Sequence, residues 1–194
     1  MTDGLLLIHA FPLDASMWEP QITGLPGVAL AAPNLPGFGG TPLSEGTLTM
    51  DAAADAVAEA ASREGLDRVV VCGLSLGGYV AFAFWRRHQD RVSGLVLANT
   101  RAVADDEEGK QRRLALAERL RSEGNVLVDN PPPLLSEGAS EELWDRVKGI
   151  IARQPAEAIA AVSTGMAERP DSTGDLGGID VPTLVITSTG DTLI

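Results

Sequence analysis

An α/β fold with a mostly parallel sheet flanked by helices is what this sequence predicts, on three observations. Short apolar runs recur along the first half, helical patterns separate them, and the runs are apolar on both faces rather than alternating. Strands covered by helices on both sides read this way, and strands alternating with helices imply parallel pairing. At 194 residues the chain is long enough for one domain with a real core and too short for two full-sized ones.

The elements follow in order. GLLLIHA (residues 4–10) and VALAAP (28–33) are the first two strands, each ending in a turn-rich segment. Residues 49–63 place Met50, Ala54, Val57 and Ala61 at helical spacing, with Thr49 as N-cap, Asp51 in the first turn and Gly65 as a C-terminal stop. RVVVCG (68–73) is the third strand. Residues 76–85 are almost wholly apolar before Arg86 and Arg87, the mark of a buried helix. GLVLAN (94–99) is the fourth strand.

From 101 to 170 the pattern needs no strand and reads as a helical insertion. GKQRRLALAERLRSEG is an amphipathic helix with Leu114 and Leu120 on its inner face, and DNPPPLL breaks it. SEELWDRVKGIIARQ restarts a helix with Ser140 as cap and Leu143, Val147, Ile150 and Ile151 inward. Pro155 suits the first position of a third helix. A linker, ERPDSTGDLGGID, leads to a last strand in VPTLVITSTGD. The expected division is therefore a core over 1–100, a helical unit over 101–170, and a returning core segment over 171–194.

Composition excludes several classes. Lys and Arg number 15 against 27 Asp and Glu, a net charge of -12 that repels phosphate backbones and excludes nucleic acid as a partner. Cys72 stands alone, so no internal disulfide can form, and it reads as a small buried packing residue. The N-terminal MTDGLLLIHAFPLD lacks the basic segment of a signal peptide. No apolar run approaches the roughly 20 residues needed to span a bilayer. The expectation is a cytoplasmic protein without a membrane partner. With two histidines and one cysteine, no metal is implied, and no cofactor is expected.

Chemistry points to one stretch, VVVCGLSLGGYV, in which Gly73, Ser75 and Gly77 form G-x-S-x-G between a buried strand and a buried helix. A turn this sharp strains the serine backbone and lifts its hydroxyl above the sheet at a helix N-terminus. The bland alternative is a glycine-rich helix start with an N-capping serine. A hydrolytic serine also needs donors for the oxyanion of its tetrahedral intermediate. The Leu76 N–H, first on the helix, is one candidate. The Phe11 N–H, in the HAFPLD loop after the first strand, is the other.

Four stretches together resemble the α/β-hydrolase-fold serine hydrolases. HAFPLDASMW resembles their His-Gly-x-Pro oxyanion loop, with Ala10 where glycine is commoner. NLPGFGGT (34–41) resembles the loop after the next strand, GLSLGG the nucleophile elbow, and VPTLVITSTGD the strand that delivers the acid. The likeness is to the esterase and lactonase branch, which includes 3-oxoadipate enol-lactonases. It implies that Ser75 is the nucleophile, that Asp191 is the acid, and that the insertion is a cap over the site. Ser188 stands where the family usually has glycine three residues before the acid. A serine at the elbow argues against the dehalogenase and epoxide hydrolase branches, which use aspartate there. Trp144, Met166 and the 131–133 turn are pocket candidates, with helix packing the plainer role for each.

The family's histidine follows the acid by one further strand, and this chain ends three residues past Asp191. His88 lies 13 positions from Ser75 along the helix, about 20 Å at helical rise, and reads as a solvated residue near a C-terminus. His9 belongs by resemblance to the oxyanion loop, as a support. The resemblance thus implies a truncated sequence without the base, the last strand and helix, and an opening antiparallel pair. The rival is a second chain that completes the sheet. An open edge at PTLVIT predicts self-association. The expected function is hydrolysis of small carboxylic esters or lactones through an acyl-enzyme, impaired in this chain. The alternative is a non-catalytic ligand-binding or interaction module on the same fold.

Overall fold

The computed structural model describes residues 3–43 and 45–194. Strands β1 (Asp3–Ile8), β2 (Leu30–Ala31), β3 (Arg68–Leu74), β4 (Val92–Ala98) and β5 (Thr183–Ile186) form one sheet in the order β2-β1-β3-β4-β5. Every pairing is parallel. The chain steps from β1 outward to β2, then returns across β1 to lay down β3 on its other side. The direction of winding therefore reverses between β1 and β3, and ligands of open α/β sheets bind at the carboxyl ends of strands at such a point.

Helices α2 (Met50–Arg63) and α3 (Leu76–Arg87) pack on the sheet. Val69, Val71, Leu95 and Leu97 share one core cluster with Ala54 and Val57 of α2 and with the α3 residues from Leu76 to Trp85. The α3 segment is buried all round, as its composition requires. Thr49 caps α2 by accepting from Ala52 N–H at 3.1 Å, and Gly65 ends it at φ +75. On the other face of the sheet Val70, Cys72 and Val96 stay half-buried. Cys72 is thus less enclosed than expected, because it alternates outward from the packed face.

Two strand ends differ from the sequence reading. The pattern over 28–33 yields only Leu30 and Ala31 in register with Leu5 and Leu6, since β2 is an edge and Pro33 has no N–H to extend the ladder. At the opposite edge, β5 is exposed on both faces, with Val185 at 66%. A short helix, α1 (Glu19–Gly24), buries no residue and carried no apolar signal.

Helices α4 (Glu107–Glu123), α5 (Glu141–Arg153) and α6 (Ala156–Ala167) lie between β4 and β5, and none adds a strand. The buried face of α4 is Gly109, Ala117 and Leu120, whereas Leu114, expected inward, is 39% exposed. Arg113 turns inward instead to the Asp105 carboxylate, and Leu114 is rotated from it by about 100°. Asp105 is buried and also receives Arg101 and Arg169. Burial opposes its ionisation, and the Arg169 and Arg113 guanidiniums overcome this, holding the carboxyl well below the usual carboxylate range. The Arg169 guanidinium lies 4.0 Å from the Tyr79 ring centroid on α3. Two further bonds pin the same region: Ser172 N–H donates to Ala102 C=O at 2.9 Å, and Ala104 N–H to the Asp171 carboxylate Oδ2 at 3.1 Å.

Candidate active site

Ser75 connects β3 to α3 without a spacer, at φ 54 and ψ -111. A non-glycine residue with such a backbone is strained and persists only where its surroundings dictate it. Here they do. Ser75 N–H donates to Ala98 C=O at 2.9 Å, Gly78 N–H returns to Ser75 C=O at 2.9 Å, and Thr100 Oγ1 donates to the same carbonyl at 2.8 Å. The glycines are required by close approach. A Cβ on Gly73 would sit 2.2 Å from Gly77 O, and one on Gly77 would sit 2.2 Å from Ile8 O. The Ser75 hydroxyl caps nothing. The alternative of an N-capping serine is therefore excluded.

The loop after β1 lies beside this turn because β1 and β3 are neighbours. His9 anchors it. The ring is fully buried, its Nε2 accepts from Leu35 N–H at 3.0 Å, and Nδ1 lies 3.1 Å from Ala10 O. Both contacts are satisfied by the neutral Nδ1–H tautomer. Burial pushes its pKa down to about 4. His9 thus supports the loop, as expected, and has no nitrogen left for proton transfer. His88 is also occupied. Expected as a solvated residue, it instead pairs with Asp55 at 2.9 Å and packs on Phe84.

Phe11 follows in the loop, joined to Pro12 by a cis peptide bond. Its N–H, like that of Leu76, has no acceptor among the described residues. For Leu76 this follows from its place as the first helical residue. Ala10, rather than Phe11, lines the cavity below.

A cavity of about 490 Å³ opens over the carboxyl ends of the strands. Ser75 and Asp191 both line it, so the structure brings together two residues 116 positions apart. Asp191 Oδ1 accepts from Leu193 and Ile194 N–H at 2.8 and 3.1 Å. Leu13, Met17, Leu134, Leu143, Val147 and Ile150 form the apolar wall, with Arg146 among them. Leu143, expected inward in the helix core, is exposed on α5 and faces this cavity. Of the pocket candidates, Pro133 lines it, whereas Trp144 and Met166 do not. Met166 is buried against Arg113. No cluster of three His, Cys, Asp or Glu among the described residues could hold a metal ion.

Two positioning groups carried no sequence signal. Asn99, at φ 38, donates its N–H to Ile186 C=O at 2.8 Å and accepts from Ser188 N–H at 3.1 Å, tying the Asp191 loop to the strand beside the serine turn. Gln154 joins α5 to Asp14 and to Gly39. Each is one ordinary amide, and only its distant partners reveal it.

The alpha/beta hydrolase fold family model matches residues 4–134, more than half of the chain. The chain belongs to the α/β-hydrolase-fold family. This α/β hydrolase superposes on a thermophilic esterase from Thermogutta terrifontis, solved with malate bound, at a TM-score of 0.91 and 40% identity. The match covers 96% of this chain and 71% of that one. With the enol-lactonase from Burkholderia xenovorans LB400 the TM-score is 0.84 at 25% identity, covering 97% and 74%. It is also 41% identical over 97 residues to the pimeloyl-[acyl-carrier protein] methyl ester esterase of Aromatoleum aromaticum, across 50% of this chain and 36% of that protein. The matched stretch thus spans little more than a third of that curated relative. These relatives are esterases and an enol-lactonase, the branch that the motifs of this chain resemble.

Proposed function

We propose that this hydrolase cleaves small carboxylic esters or lactones through an acyl-enzyme on Ser75. One observation carries the reading: an uncapped serine, held at positive φ by three hydrogen bonds, shares an apolar cavity with the Asp191 carboxylate. Ser75 Oγ would attack the carbonyl carbon, and the carbonyl π pair would move onto oxygen to face the Leu76 and Phe11 N–H groups. Collapse expels the alkoxide, which takes up the serine proton, and water then releases the acid. The proton must travel through a base. In this reading Asp191 orients a neutral imidazole and stabilises its cation. Neither histidine of the sequence can supply that imidazole, so residues 1–194 by themselves are impaired, on the order of 10⁶-fold for loss of one triad member. The insertion acts as a cap, since α5 walls the cavity.

The occupied histidines favour one second reading, a ligand-binding module that retains the cavity without hydrolysis. A fluorophosphonate probe and p-nitrophenyl acetate, with and without added imidazole, separate the two. Labelling or turnover that imidazole raises and Ser75→Ala removes supports the esterase. Silence in every condition, with ligands still entering the cavity, supports the binder. The single cysteine and the lack of any membrane-spanning helix among the described residues are compatible with a cytoplasmic setting.

A further inference from the structure

Gln154 is an uncharged side chain at the end of α5, 2% exposed, and every polar atom it has is engaged. Its Nε2 donates to Asp14 Oδ2 at 2.8 Å and to Ile150 C=O at 2.8 Å, while Oε1 accepts from Gly39 N–H at 3.0 Å. Asp14 in turn closes the loop that carries Phe11. Its Oδ1 receives the Ser16 N–H at 3.0 Å and the Ser16 hydroxyl, and its C=O receives Met17 N–H at 3.1 Å. Ala15 N–H is taken by Asn34 Oδ1 at 2.7 Å, from the segment that also holds Gly39. One amide therefore ties the end of α5 to two segments that each lie more than 100 residues away in sequence.

We infer that Gln154 is a positioning residue that makes the geometry of the oxyanion loop depend on the seating of helix α5. Because both N–H groups and the oxygen of the amide are used, any outward movement of α5 must break the Asp14 and Gly39 bonds together. Asp14 then loses its buried donor, and the 10–18 loop loses the group that closes it. Substrate contact with the α5 wall (Leu143, Val147, Ile150) and alignment of the Phe11 N–H become one event. This rests on the reading of Phe11 as an oxyanion donor, but the coupling itself can be read without catalysis.

The test is site-resolved amide hydrogen exchange on the 194-residue chain, in Gln154→Met and Gln154→Glu. In Gln154→Met, Gly39 N–H loses its acceptor. The coupling predicts that the Ala15, Ser16 and Met17 amides also exchange at least about tenfold faster, while Val71 and Leu97 in the sheet do not change. Acceleration at Gly39 alone, or equal acceleration in the sheet, overturns the inference. The isosteric Gln154→Glu decides the matter if the Met variant does not fold. Its carboxylate faces that of Asp14, with the Arg153 guanidinium 3.6 Å from Asp14 and the neutral His9 as the other nearby ionisable groups. Such a pair shares one proton on acidification. After correction for intrinsic rates, loop protection should be lost at neutral pH and regained on mild acidification in this variant, whereas wild type, in which acid only weakens the His9 anchor, gains none. A flat Gln154→Glu profile overturns the inference. With imidazole-supported turnover, Gln154→Met should lower kcat and leave KM for a short ester nearly unchanged. If Ser75 is silent in every version, the hydrolase reading fails while the exchange result still decides the coupling.

Discussion

His9 offers the sharpest test of how the loop is held. Buried and neutral in the folded chain, it has a pKa of about 4 against 6.5 for the free side chain. Below 6.5 the unfolded chain gains a proton that the folded chain refuses. Stability is therefore fully present above 6.5 and drains away as pH falls towards 4. Between about pH 7.5 and about pH 5 the two pKa values imply a loss of about 2 kcal/mol. With a urea m-value of about 2 kcal/mol/M, that moves the midpoint by about 1 M. The comparison is with His9→Gln, whose amide oxygen can take the Leu35 N–H in place of Nε2 and which cannot titrate. Urea melts of both proteins across this window isolate the histidine, because every other group is common to both. A wild-type midpoint that falls by about 1 M more than that of His9→Gln supports the argument. Equal pH dependence would refute it, and with it the neutral tautomer that disqualifies His9 as a base.

Three further outcomes are expected. Gly77→Ala should destabilise by at least about 3 kcal/mol in urea, and abolish any Ser75 labelling, because its Cβ would meet Ile8 O at 2.2 Å. Arg169→Met should cost about 3–5 kcal/mol, seen as a lowered thermal midpoint, since it removes one partner of the buried Asp105 carboxylate. Burial pushes the Cys72 thiol up to about 11. Alkylation by iodoacetamide at neutral pH should then run about 100-fold slower in the folded chain than in urea.

The strands and the serine turn were legible because their causes are local. Apolar runs bounded by turns mark β1, β3 and β4, and Gly73 and Gly77 flank Ser75 for a steric reason written within five residues. What was illegible depends on partners far along the chain. Nothing near Asp105 announces that Arg113 and Arg169 converge on it, and this convergence is what turned Leu114 outward. Gln154 and Asn99 act through groups more than 80 positions away. The length of β2 depended on its place at an edge, which only the sheet order reveals. Asp191 was placed by resemblance, and the structure set it on the same cavity as Ser75.

The cluster around Asp105 has a consequence for how this fold can change. Arg101 lies where the chain leaves the sheet, Arg169 lies where it is about to return, and both close on one carboxylate. The bonds from Ser172 N–H to Ala102 C=O and from Ala104 N–H to the Asp171 carboxylate fasten the same neck. The insertion is thus a bag drawn shut at its mouth, and its contents can vary behind the knot wherever the Gln154 bonds to Asp14 and Gly39 are kept. A longer loop inside a closed neck costs only about 0.6 kcal/mol per doubling of length. Helices can be exchanged or lengthened there without disturbing the register of β4 and β5. In such an architecture new substrates are reached by refilling the bag, and the strained serine beneath is left alone.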